Sequence, residues 1–461
     1  MGKMDRRETL AEQAQASEER VIMGVIEEAR SWLIEQQADD GHWAFELEAD
    51  ATIPAEYIFL NHFLGDVNDD VEQKLARYLR TTQHESGGWP LYHDGDFNIS
   101  VSVKAYYALK LTGEDPYSPH MIRAREAILK AGGAAKANVF TRIALALFEQ
   151  VPWRAVPVMR VEALLLPKWA PFNMAKVSYW SRTVMVPLLI LTTLKPKAIN
   201  PRGVQISELF VRPPNSERQY IVNPTGHWLG QLFLVLDRVA LSLQWVFPKF
   251  LERRAIAQAL DFMIERLNGE DGLGAIFPAM ANSVMAFHAL GYNKEDPKFQ
   301  IARKSIDKLV VFHEDWGYCQ PCVSPVWDTG LAMHAVLEAN SVSDKIIMEK
   351  AANWLVERQI LDVKGDWGVN AHGVRPGGWA FQYWNDHYPD VDDTAVVVMA
   401  LHRADPNRYS EAIERGAEWI IGMQSGNGGW GAFDKDNEHH FLQHIPFADH
   451  GALLDPPTAD V

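Results

Sequence analysis

The chain has 461 residues, 47% of them hydrophobic, enough to bury two or three cores. A formal net charge of −16 leaves no basic surface for a nucleic-acid partner. Two cysteines cannot build a disulfide-stapled secreted fold, and no run of roughly 18 apolar residues predicts a spanning helix.

Residues 1–24 form a polar tail, "MGKMDRRETLAEQAQASEER" and its continuation. It lacks the apolar region of a signal peptide. Gly2 invites myristoylation, but Arg6 stands where that signal needs Ser or Thr. The protein is expected in the cytosol or on the cytosolic face of a membrane.

One phrase then recurs: an aromatic residue, aliphatics, a Gln, and Gly-x-Trp. It runs from Trp32 to Trp43, Tyr78 to Trp89, Trp354 to Trp367 and Trp419 to Trp430. A degraded copy spans Phe262 to Ile276, with Leu273 in place of Trp, and a partial one surrounds Trp316. Recurrence at this spacing marks a repeat architecture with one supersecondary unit per copy. Each copy opens helically, as in Lys350–Gln359, and passes through a Gly-rich turn. An apolar helical run such as Thr394–Leu401 then follows. The expectation is an all-α protein of paired helices. The Gln amide would satisfy helix ends while the indole covers them.

Between Thr225 and Phe250, apolar residues recur at helical spacing from Leu229 to Phe247. Asp237 and Arg238 interrupt the stretch, and Lys249, Arg253 and Arg254 follow it. A buried core helix is the default reading; a helix lying in a membrane interface is the alternative. Cys319 and Cys322 form a Cys-x-x-Cys pair without a second ligand pair, so structural thiols are expected. His439, His440 and His444 are expected to be solvated or satisfied in the core rather than to hold a metal.

The sharpest chemical signal is "YPDVDDTA", Tyr388 to Ala395. Pro389 favours an extended residue before it and a helix after it, so Asp390, Asp392 and Asp393 fall at a helix N-terminus. A plain structural reading exists, since helix N-termini favour acids. The chemical reading is that three crowded carboxyls cannot all ionise, so the cluster retains a proton. Such an acid can protonate an alkene. The carbocation then needs aromatic faces and a dry cavity, which gives 16 Trp and 20 Phe a use.

"YPDVDDTA", the Gln-to-Trp repeats, "SPVWDTG" (Ser324 to Gly330), "GGWAFQ" (Gly377 to Gln382) and "DPPTADV" (Asp455 to Val461) together resemble bacterial squalene–hopene cyclases. The resemblance implies two α/α-barrel domains, one inserted near the N-terminus of the other. They are placed at 25–320, with a membrane-facing helix near 228–250, and at 321–461. It implies cyclisation of squalene to hopene or hopanol, with no metal or organic cofactor, on the cytoplasmic face of the membrane. A homodimer is left open. Asp392 would donate the proton, flanked by Asp390 and Asp393. Asp328 and Asp460 would join the hydrogen-bond network around the acid. Phe381 would face an early cation; Trp180 and Trp327 would line the cavity; Phe433 would stabilise a cation. Ile276, Phe277 and Pro278 would shape the cavity wall, and Phe447 would sit near a channel constriction.

Chains of this family continue well beyond "DPPTADV". The sequence is therefore expected to be a C-terminally truncated piece, its second barrel incomplete and the piece by itself inactive. Other class II di- or sesquiterpene cyclases, a prenyltransferase subunit and a non-catalytic helical scaffold are the competing readings. The prenyltransferase would need zinc ligands that the two cysteines are poorly placed to supply.

Overall fold

The computed structural model describes residues 20–269, 271–339, 344–446 and 453–458. Helices dominate them. In chain order they are α1 (20–35), α2 (Thr52–Leu64), α3 (Asp69–Thr81), α4 (Ile99–Leu111), α5 (Pro119–Lys130), α6 (Val139–Leu147), α7 (Tyr179–Leu194) and α8 (Trp228–Leu243). Then follow α9 (Lys249–Glu265), α10 (Phe277–Ala289), α11 (Pro297–Asp307), α12 (Pro325–Ala339), α13 (Lys345–Val356), α14 (Val391–Ala404) and α15 (Ser410–Met423). A short antiparallel hairpin, β1 (Val310–Phe312) and β2 (Gly317–Cys319), separates α11 from α12.

The repeats work by hydrogen bonding. In the first copy Gln37 Nε2 donates to Gly41 O (2.7 Å) within its own turn and to Ile347 O (3.1 Å) in the first turn of α13. Gln83 does the same to Gly87 O (2.6 Å) and His120 O (3.0 Å). Each indole N–H turns back to a carbonyl of the preceding helix: Trp43 to Leu33 O (2.6 Å), Trp89 to Leu79 O (2.8 Å), Trp430 to Ile420 O (2.8 Å). These carbonyls lie in the last helical turn, where backbone donors run short; Leu33 O shares Gln36 N (3.1 Å) with Trp32 O, and the indole adds a donor. The glycine two residues before the tryptophan adopts φ +105° at Gly41 and +92° at Gly87, where a side chain would be strained.

The third copy differs from its sequence reading. Gln359 reaches Gly377 O (2.8 Å) and Ala412 O (2.9 Å), and the indole that returns to Leu355 O (2.7 Å) belongs to Trp379, not Trp367. The indole-to-carbonyl separation is 24 residues here against 10 in the other copies. "GDW" at 365–367 imitates the motif but lies on an inserted loop. Pattern matching took the nearer Gly-x-Trp; the hydrogen bonds select the farther one.

Burial separates a large core built on α2, α4, α7, α9 and α10 from a second built on α12, α13 and α14. Trp43, Leu33 and Ile34 pack into the second core. Residues 33–43 thus pack with the C-terminal core, while α2 and the helices after it pack in the first. Leu442 and Leu453 return to the first core. A third cluster of Tyr179, Trp367, Tyr388, Val391 and Trp419 lies between them.

Helix α8 departs from the default reading of a core helix. Of its 16 residues only Gly230 and Phe233 are buried. Leu232, Val235 and Val239 are 43%, 53% and 50% exposed. Among the described residues, no helix is long and apolar enough to cross a membrane.

Candidate active site

The acid turn is built on the same frame as the start of α4. Trp379 and Asp390 form an isolated antiparallel bridge, with Asp390 N donating to Trp379 O (3.0 Å). Thr394 Oγ1 accepts from Trp379 N (3.0 Å). Asp390 is the N-cap of α14: its backbone is extended and its Oδ1 accepts the amide of Asp393 (2.7 Å). The first helical turn then carries Asp392 and Asp393. Asp390 and Asp393 are buried, whereas Asp392 is exposed. The successive side chains of a helix turn diverge, so one acid faces outward while its neighbours face in.

The buried carboxyls are pushed toward the neutral form. Burial raises Asp393 well above the usual range, and the charges of Asp390, Asp392 and Asp328 add to the effect. Asp390 is raised as well, mainly by burial, against the opposing pull of its hydrogen bonds with Asp393. Both buried carboxyls therefore resist ionisation, and the pair favours retaining a proton. Asp393 Oδ1 is buried without a hydrogen-bond partner. Asp328 sits in the first turn of α12, which packs on α14. Its Oδ2 accepts from Phe45 N (2.8 Å) and Ser324 Oγ (3.1 Å), and burial raises it too.

Two carboxylates escaped the sequence reading. Asp455, inside the "DPPTADV" motif, accepts three amides of one loop: Ala432 (3.0 Å), Phe433 (2.7 Å) and Asp434 (2.7 Å). The carbonyl of Ala432 in turn accepts Val391 N (2.9 Å), so this loop abuts the acid turn. Asp434 is pushed up to about 7 by burial, with the charge of Asp455 adding to it, while the Asn437 amide opposes the shift. No spacing rule points to Asp434; its role comes from loop packing.

The aromatic candidates pair up. Trp327 and Phe381 lie with ring centroids 6.5 Å apart, and Trp180 stacks on Phe433 at 6.3 Å. Trp180, Ile276 and Pro278 line a cavity of about 350 Å³ with Phe59, Phe140 and Phe148. Phe277 does not: it is fully buried in the first core, and its amide donates to Pro321 O (2.8 Å). It stands at the start of α10, where its side chain turns away from its neighbours Ile276 and Pro278. The cavity also contains a charge pair, Lys104 Nζ to Glu56 Oε1 at 2.7 Å. A lysine inside the apolar run of α4 was its only signal in the sequence. A second cavity of about 620 Å³ lies beneath α8, lined by Phe233, Leu236, Phe247, Leu442 and Pro446 among others. Neither cavity is lined by the acid turn. Phe447 and Asp460 fall outside the described residues.

The cysteines and His444 lie apart from the acid turn. Both thiols are free, and burial raises them. His444 bonds Thr225 Oγ1 (2.7 Å) and stacks on His227 at 4.3 Å. Among the described residues, no group of three or more His, Cys, Asp or Glu side chains is arranged to hold a metal.

This constellation has close counterparts. The sequence pattern described as the squalene-hopene cyclase N-terminal domain matches residues 26–315, and that of the C-terminal domain matches 323–461. The chain belongs to the squalene–hopene cyclase family. A squalene–hopene cyclase of Bradyrhizobium diazoefficiens is 52% identical over 458 residues, 98% of this chain and 69% of that protein. One from Zymomonas mobilis is 53% identical over 449 residues, 95% of this chain and 68% of that protein. The squalene–hopene cyclase of Alicyclobacillus acidocaldarius is 37% identical over 442 residues, 95% of this chain and 69% of that protein. Family membership spans both cores and the acid turn, and the scaffold and prenyltransferase readings fall with it.

Proposed function

We propose that this chain is a class II triterpene cyclase that protonates squalene and closes it, through carbocations, to a hopene- or hopanol-type product. The observation that carries the reading is the α14 turn, where one exposed carboxyl stands beside two buried ones that resist ionisation. Asp392 is the acid a substrate can reach. Asp393 and Asp390 lie buried behind it and resist ionisation, as does Asp328 in the adjoining helix, so the group favours retaining a proton. The cluster, rather than a single side chain, holds the proton. After transfer, the helix N-terminus favours the anion left behind. Phe381 and Trp327, and then Trp180 and Phe433, offer ring faces to the advancing cation without offering a nucleophile.

Squalene is a hydrocarbon, so its reservoir is a lipid phase. We propose that α8 lies in the membrane interface on the cytoplasmic side, with Leu232, Val235 and Val239 in the acyl region and Lys249, Arg253 and Arg254 toward anionic headgroups. The cavity beneath α8 would be the entry passage. The test incubates the full-length gene product with squalene in detergent and analyses the extracted lipid. A cyclised triterpene from the wild type, and none from a folded Asp392→Asn variant, is the expected result. Turnover by Asp392→Asn at the wild-type rate, or unchanged squalene from the wild type, would sink the proposal.

A further inference from the structure

The inserted loop of the third repeat carries an acid that the repeat frame does not need. Asp366 is buried, and both its carboxylate oxygens are bound. Arg266 Nη2 donates to Oδ1 (2.5 Å), and the hydroxyl of Tyr388 donates to Oδ2 (2.9 Å). Arg266 caps the end of α9 in the first core; its guanidinium lies over the ring of Phe262 at 4.1 Å and bonds the carbonyl of that residue (3.2 Å). Tyr388 is fully buried and stands two residues before Asp390. The chain also comes close here: a Cβ on Gly365 would meet the carbonyl oxygen of His387 at 2.1 Å, so only glycine fits beside the acid segment.

We propose that Arg266, Asp366 and Tyr388 form a brace that positions the proton-donating turn, tying the start of α14 to α9 across the boundary between the two cores. Asp366 is a positioning residue; it does not reach substrate. The physical argument is one of redundancy. Asp390 is already held by its bridge to Trp379 and by the Val391 amide on Ala432. Those bonds fix the backbone after Pro389; before it, Tyr388 N donates to Asn385 O (2.8 Å), which holds the main chain but not the ring. The tyrosine hydroxyl holds the ring end of that segment, through an ion pair whose members are both buried. A buried pair of this kind is a poor device for stability alone. It suits a geometry that must be held within a fraction of an ångström. The other repeats, whose helix starts carry no acid triad, have no such loop between Gln and Trp.

The inference rests on the proposed cyclase reading, and its test separates the two. Tyr388→Phe removes one oxygen and keeps the ring in its core cluster. In squalene turnover it is expected to lower kcat by roughly 10- to 100-fold, with KM within about twofold and a melting temperature lowered by only a few degrees, the cost of leaving Asp366 Oδ2 unpaired. Asp366→Asn is expected to lower kcat at least as far, and the double variant no further than the worse single. Hydrogen–deuterium exchange supplies a readout free of activity. Peptides covering 388–394 exchange faster in Tyr388→Phe, while those covering 98–102 do not change. If the wild type does not turn squalene over, the cyclase reading fails and the exchange result still decides the brace. Unchanged exchange at 388–394 overturns the brace, as does a folded Tyr388→Phe with wild-type kcat. Should Asp366→Asn not fold, Tyr388→Phe alone settles the matter.

Discussion

Helices α4 and α14 begin on the same frame. In each, the repeat tryptophan bridges the N-cap residue, Trp89 to Asn98 and Trp379 to Asp390. In each, the tryptophan amide donates to a hydroxyl in the first turn, Ser102 Oγ (2.9 Å) or Thr394 Oγ1 (3.0 Å). The residues between differ in kind. Asn98, Ser100 and Val101 of α4 are a neutral cap, a hydroxyl and a buried aliphatic. Asp390, Asp392 and Asp393 take the corresponding places in α14. Fold and chemistry are thus separable here. The frame tolerates either set, and the acid set makes a turn that resists ionisation. It is less comfortable than its neutral counterpart, because Asp393 has a buried oxygen without a partner.

Converting one turn toward the other tests the comparison. Asp392→Asn should reduce turnover by about 10³-fold or more, within the range a positioned acid contributes, and leave the melting temperature unmoved. Asp393→Val, copying Val101, should abolish activity yet raise the melting temperature, because it removes a buried carboxyl with an unmet oxygen. A lower melting temperature would show that Asp393 stabilises the turn. Replacing both Leu232 and Val239 by Asp should weaken binding to anionic vesicles by at least about 10-fold while sparing turnover in detergent. Equal vesicle binding would move the membrane face elsewhere. Gln83→Ala and Gln359→Ala should each cost about 1–3 kcal/mol, since each leaves two carbonyls unpaired, measured by denaturant titration. Similar costs would show that the frame is shared, and a much larger one at Gln359 that the acid turn leans on it.

The smallest expected effect is a pH trend. Asp434, pushed up to about 7 by burial, keeps its proton in the folded protein at pH values where the unfolded chain has lost it. Its stabilising contribution is complete below the ordinary carboxyl range near pH 4 and is lost as pH rises through about 7. The melting temperature should fall over that interval, and Asp434→Asn should flatten the fall. An identical slope in the variant would remove Asp434 as its source.

Much of this was legible because it was local. Pro389 and three acids before an apolar run place an N-cap, and α14 begins where that pattern says. The Gln and Trp of each copy announce a repeat; the indole meets a last-turn carbonyl as expected, whereas the Gln amide bonds its own turn and, in three copies, a first-turn carbonyl of the next helix rather than an unpaired helix end. Where partners lay farther along the chain, the reading slipped. The third copy was closed at Trp367, because no local rule tells an inserted loop from a motif. Phe277 shares a sequence neighbourhood with two wall residues and still faces the core, because side-chain direction depends on where α10 starts.

The linear order of residues determined the helical repeats, the acid turn and the exclusion of basic or disulfide-built surfaces, since each follows from chemistry within a few positions. Only the tertiary structure decided that Asp392 is exposed while Asp393 is buried, that Asp434 and Asp455 crowd the same turn, and that Arg266 reaches Asp366 and Tyr388 from another core. Those facts depend on which distant segments exclude water from a carboxyl.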